Sequence, residues 1–145
     1  MNENFELVEY MYQDSEMATE TLTETLKDLN GKENKIKPVI EDILKGYERY
    51  LEECTKILKS NGIELKSNGF MAKIGATIGI KKEIREDNSD ASIADMLIKG
   101  ISMGSLDMEK KINNYKEKAQ KEYLKLAKDF FTFQKDNMEA LKKFL

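Results

Sequence analysis

The sequence predicts an all-α protein, an antiparallel four-helix bundle with a short additional helix in the crossover between the second and third long helices. Three observations carry that reading. The chain is 35% charged and 40% apolar, with a single proline and no tryptophan, and a composition rich in Glu, Lys and Leu but poor in Pro is that of a helical protein. Apolar residues recur at alternating steps of three and four over long stretches, which marks one face of a helix. Asn-Gly pairs at 30–31 and 61–62 interrupt the pattern, since both residue types tolerate the left-handed backbone that ends a helix. At 145 residues the chain is the size of one domain, residues 1–145, and long enough to bury a core without disulfide or metal staples.

The first segment, about residues 4–29, carries Val8, Met11, Ser15, Ala18, Leu22, Thr25 and Leu29 as a packing stripe. The second, about 34–60, carries Ile36, Ile40, Ile43, Tyr47, Tyr50, Cys54 and Ile57, widened by Leu44, Leu51 and Leu58. Pro38 belongs in its first turn, where a missing N–H costs no helical hydrogen bond. Residues 62–69, GIELKSNG, lead to a shorter helix at about 70–85, with Met71, Ile74 and Ile78 on one side and Gly75 and Gly79 within it. A break at 86–89 leaves Asn88 or Ser89 to cap the fourth segment, about 90–115. Its stripe is Ala94, Ile98, Ile101, Ser105, Met108, Ile112 and Tyr115. The fifth, about 117–144, has Ala119, Tyr123, Leu126, Phe130, Phe133, Asn137, Ala140 and Phe144, broadened by Leu124, Ala127, Phe131, Met138 and Leu141. Short turns within the first and last pairs, and one long connection between the pairs, give a bundle with a single crossover.

Charge and motif content exclude several classes of activity. The formal charge is −3 and lysines and glutamates are interleaved, so no basic patch follows a nucleic-acid backbone. No stretch approaches the roughly 18 apolar residues of a membrane span. The acidic start MNENFELVEYMYQD lacks the basic flank and apolar run of a signal peptide, which makes a cytoplasmic protein the expectation. Cys54 is the only cysteine and histidine is absent, so there is no internal disulfide and no thiol–imidazole pair. No nucleophile elbow, P-loop or dinucleotide fingerprint occurs, and GATIG at 75–79 lacks the lysine of a phosphate loop. No cofactor is implied.

Glycine placement is the one unusual feature. Gly100 and Gly104 sit on adjacent turns of the fourth segment, where each costs about 1 kcal/mol relative to alanine. A helix accepts glycine where another backbone comes close, and Gly75 and Gly79 repeat the spacing in the short helix. These four are the close-packing or interface candidates, within the chain or between copies of it, a dimer being the favoured assembly. Met96, Met103 and Met108, with Asp107 beyond Gly104, are the pocket candidates, because methionine adapts to varied partners. Phe130, Phe131 and Phe133 cannot share one helix face, so one of them points away from the stripe. Asn137 is a polar residue on a core stripe, suited to fixing register.

The stretch SDASIADMLIKGISMG, residues 89–104, with FMAKI before it and DNMEALKKFL at the end, resembles small bacterial ferritin-like bundle proteins of unassigned function. The residues that carry the resemblance are Ile93, Ala94, Asp95, Met96, Ile98, Gly100, Met103 and Gly104, with Ser92 where such relatives often place a histidine. The resemblance implies a ferritin-like bundle. It does not bring di-iron chemistry, which needs Glu-x-x-His on two helices, and the predicted stripes hold no Asp or Glu. Glu16, Glu20 and Glu24 run beside the first stripe and Glu48, Glu52 and Glu53 flank Cys54, both solvated faces. The sequence reading is therefore a non-enzymatic protein acting through protein–protein interaction or self-association. The alternative is a ferritin-like protein that binds a small ligand or a metal without a Glu-x-x-His site.

Overall fold

A computed structural model describes residues 2–66 and 88–145 of the chain. These residues form four helices: α1 (Glu3–Asp28), α2 (Lys37–Ser60), α3 (Asp90–Tyr115) and α4 (Lys121–Lys142). No strand occurs among the described residues. The short helix expected at about 70–85, including Gly75 and Gly79, lies outside them.

Local chemistry sets the helix ends. Asn2 caps α1 by accepting from the Phe5 backbone N–H at 3.2 Å, and Ser89 caps α3 by accepting from Ser92 N–H at 3.2 Å, each supplying a partner for an orphan donor of the first turn. Gly31 (φ +80°) and Gly62 (φ +70°) adopt left-handed backbone just after α1 and α2, as the Asn-Gly pairs imply. Pro38 falls within the first two positions of α2. That helix starts at Lys37 rather than at 34, because Asn34 and Lys35 are used to dock α3. The Asn34 side-chain amide donates to Asp90 Oδ1 (2.9 Å) and to the Asn88 carbonyl (2.7 Å), and the Lys35 N–H donates to Asp90 Oδ2 (3.1 Å).

These contacts fix the directions of the helices. The start of α3 lies at the α1–α2 turn. At the other end of the bundle the Tyr115 hydroxyl donates to Glu6, and the Gln120 N–H donates to Asn4 Oδ1 at 2.7 Å. Hence α2 and α3 run the same way, each opposed by its hairpin partner, α1 and α4. The hairpins are the tighter units: α1 packs most closely on α2 and α3 on α4. The hairpins meet through α1 with α4, α1 with α3 and α2 with α4, whereas α2 and α3 lie across the diagonal.

The core runs between them. Leu7, Val8, Met11, Leu22 and Leu29, in α1 and at its C-cap, and Ile36, Ile40, Ile43, Tyr47, Cys54 and Leu58, in α2 and at its N-cap, are buried in one core; α3 adds Ile93, Ala94, Leu97, Ile101, Met108 and Ile112. Full burial of such a side chain contributes about 1.5–3 kcal/mol. On α4 the buried positions are Leu124, Ala127, Phe130, Gln134 and Leu141, a face rotated from the expected stripe. The cause is Gln134, a polar residue that sits at its centre and conceals the periodicity. Among the described residues, no helix is long and apolar enough to cross a membrane.

Candidate functional site

All four helices converge on one carboxylate. Asp14 of α1 is partly buried, and its Oδ2 accepts a 2.6 Å hydrogen bond from Nε2 of Gln134 on α4. Gln134 is fully buried, and its other polar atom, Oε1, finds no donor among the described residues. Gly104 of α3 closes the third side. A Cβ built on it would stand 2.9 and 3.0 Å from the two Asp14 oxygens and 3.1 Å from Gln134 Nε2. The Gly104 carbonyl also accepts from the Tyr10 hydroxyl at 3.0 Å, committing that proton. From α2 comes Tyr47, 1% exposed. Next to Asp14 in sequence, Ser15 is fully buried and its hydroxyl has no partner among the described residues.

The electrostatics follow from this geometry. Burial, more than any other cause, raises the Asp14 carboxyl from 3.8 to about 6; the Gln134 hydrogen bond acts the other way and the nearby Asp107 charge adds to the rise. Removing an anion from water without supplying a cation favours its neutral form. The Tyr47 phenol is pushed far above its usual range, first by burial and then by the Asp14 charge, with a Gln134 hydrogen bond opposing. Tyr10 shifts the same way, from burial and then from Asp14 and Asp107. A Lys111 ammonium lies 5.2 Å from the centre of the Tyr10 ring. Chemically, the centre is a proton-binding carboxylate held by one neutral donor. Among the described residues no three His, Cys, Asp or Glu side chains come together to hold a metal.

Beside this polar centre lies an aromatic one. Tyr47 and Tyr50 of α2 interlock with Phe130 and Phe133 of α4, the Tyr47–Phe133 centroids 4.9 Å apart and the Tyr50–Phe130 centroids 5.0 Å. Phe133 reaches α2 because Gly46 stands opposite: a Cβ there would lie 2.2 and 2.6 Å from the ring. Phe131 is the phenylalanine that points aside, half-buried with the Lys135 ammonium 5.4 Å from its ring centre.

The sequence-predicted residues divide. Gly104 is buried and closely packed, but against side chains of α1 and α4. Gly100, one turn away, is exposed, and among the described residues nothing lies within 4 Å of a built Cβ, so no described helix packs on the two as one notch. Met108 is fully buried, Met96 half-buried and Met103 72% exposed, so the three methionines do not line a single wall. Asp107 is exposed, and acts on the centre through its charge. Asn137 is half-buried, its Nδ2 without a partner among the described residues. The sequence reading did not find Gly46, Asp14 or Gln134. For Gly46 the signal was present, a glycine inside an amphipathic helix with a well-marked apolar face; for Asp14 and Gln134 there was none, since each looks like an ordinary surface polar residue.

Leu106 (52% exposed) accompanies Met103 on the outer face of α3, where Gly100 leaves open space. Compared with protein-family models, with curated proteins and with solved structures, the chain matches none.

Proposed function

We propose that this protein is a non-enzymatic helical bundle that acts by protein–protein interaction or self-association, with the outer face of α3 as its contact surface. The observation that carries the reading is the pair Met103 and Leu106, both more than half exposed, on a face otherwise built of polar residues. A large apolar side chain left in water is stabilised by about 1.5–3 kcal/mol when a partner covers it, and flexible methionine suits such a surface. Gly100, open on the same helix, lets a partner approach closely.

The ferritin-like reading of the fold belongs to the same proposal. Two antiparallel hairpins, with α2 and α3 parallel across a long connection, are the arrangement that a ferritin-like bundle requires. Native mass spectrometry and sedimentation over a concentration series test the function. A dimer is expected, and Met103→Glu together with Leu106→Glu should weaken it at least about tenfold. A wild-type chain that stays monomeric and captures no partner, or a dimer indifferent to both substitutions, refutes the assignment of this face.

A further inference from the structure

We propose that Asp14 is a proton-operated latch between the two hairpins: neutral, it lets α1 close against Gly104 and Gln134; ionised, it loosens that seam. The geometry points to this because the seam has a carboxylate at its centre and, among the described residues, no cation paired with it. Facing Asp14 are Tyr10 from its own helix, Tyr47 from α2, Gly104 and Asp107 from α3, and Gln134 from α4. Asp107 carries the same sign of charge. Lys111 is directed over the Tyr10 ring. The two phenols are held neutral by burial, and the Tyr10 proton is spent on the Gly104 carbonyl. One amide N–H is left to stabilise the anion, and the far end of that same amide, Gln134 Oε1, has no donor among the described residues.

An anion placed this way is relieved by fuller hydration, which the half-buried Asp14 gains when α1 parts from α3 and α4. Opening therefore exposes Asp14, and the protonation state of Asp14 sets how often opening occurs. The shift from 3.8 to about 6 has one sign: the stability it contributes is complete below about pH 4 and is lost as the pH rises through about 6.

Hydrogen exchange of the intact chain tests the latch, with intrinsic rates corrected for pH. Amides of α1 around Met11–Ser15 and of α3 around Gly104–Met108 report opening of the seam. Between about pH 4.5 and pH 7.5 their opening equilibrium should rise about twentyfold in the wild type. In Asp14→Asn, which has the shape of the carboxyl but cannot ionise, the rise should vanish and protection at pH 7.5 should match or exceed the wild type. Equal pH dependence in the two proteins overturns the proposal. Should the Asn variant fail to fold, a carbon-detected titration of wild-type Asp14 decides. A midpoint near 6, with the Gln134 side-chain amide moving in step, supports the latch; a midpoint near 4 overturns it.

Discussion

Replacing Gly46 by alanine sets helix propensity against packing, and the two predict opposite signs. In an exposed helix interior Gly→Ala stabilises by about 1 kcal/mol. At Gly46 the new methyl would stand 2.2 Å from Phe133 Cε1 and 2.6 Å from Cζ, more than an ångström inside the roughly 3.5–4.0 Å of a carbon–carbon contact. The Phe133 ring must retreat, weakening its contacts with Tyr47 at 4.9 Å and Tyr50 at 5.1 Å, pairs worth about 0.5–1.5 kcal/mol each. Overpacking a helix interface costs about 1–3 kcal/mol, so after the gain of about 1 kcal/mol in propensity the variant should be up to about 2 kcal/mol less stable. Urea unfolding with an unchanged m-value measures this. Two controls isolate the cause. Gly100→Ala, in open space, should stabilise by up to about 1 kcal/mol. In a Phe133→Ala background, Gly46→Ala should change sign and stabilise, because the obstacle is gone. If Gly46→Ala stabilises the wild-type background as much as the Phe133→Ala background, the close approach of α2 and α4 is not what holds glycine at this position.

Two further outcomes follow from the same structure. Gly104→Ala should cost up to about 2 kcal/mol in urea unfolding, because its methyl meets the Asp14–Gln134 pair rather than solvent and overpacking of about 1–3 kcal/mol outweighs a propensity gain of about 1 kcal/mol; a variant at least as stable as the wild type would mean that the pair swings aside freely. Cys54 is fully buried, and burial followed by the Glu53 charge pushes its thiol up to about 12. Its alkylation at pH 8 should therefore be at least about a thousandfold slower in the native protein than in urea, and comparable rates would place the thiol at the surface.

How much was legible in the sequence depended on whether side-chain chemistry agreed with position. In the first and fourth segments it agreed: Met11, Ser15, Leu22 and Thr25 on α1, and Ala94, Ile101, Ser105, Met108 and Ile112 on α3, are buried as their spacing implies. Small hydroxyls do not disturb such a pattern, since Thr25 returns its own hydrogen bond to the Thr21 carbonyl. On α4 chemistry and position disagreed. Gln134 occupies the middle of the buried face, and the stripe drawn through Phe130, Phe133 and Asn137 passes it by. Asp14 was hidden for the same reason, since a carboxylate reads as surface until three other helices are seen to surround it. The methionines failed in the other direction, one residue type spread over buried, half-buried and exposed settings.

The two buried glycines of the helices belong to one design feature. Gly46 lies on the first hairpin and meets Phe133 of the second; Gly104 lies on the second and meets Asp14 of the first. Each removes a side chain where the hairpins face one another, so glycine marks the line along which the two pairs pack. Phe133 and Gln134, adjacent on α4, divide that line: the ring fills the approach to α2, the amide the approach to Asp14. One half is apolar and indifferent to protons, while the other holds a lone carboxylate. The helices pack more closely within each hairpin than between hairpins, so the seam between them is the weaker of the two kinds of helix interface. Of the two halves of the seam, only the one centred on Asp14 changes with pH.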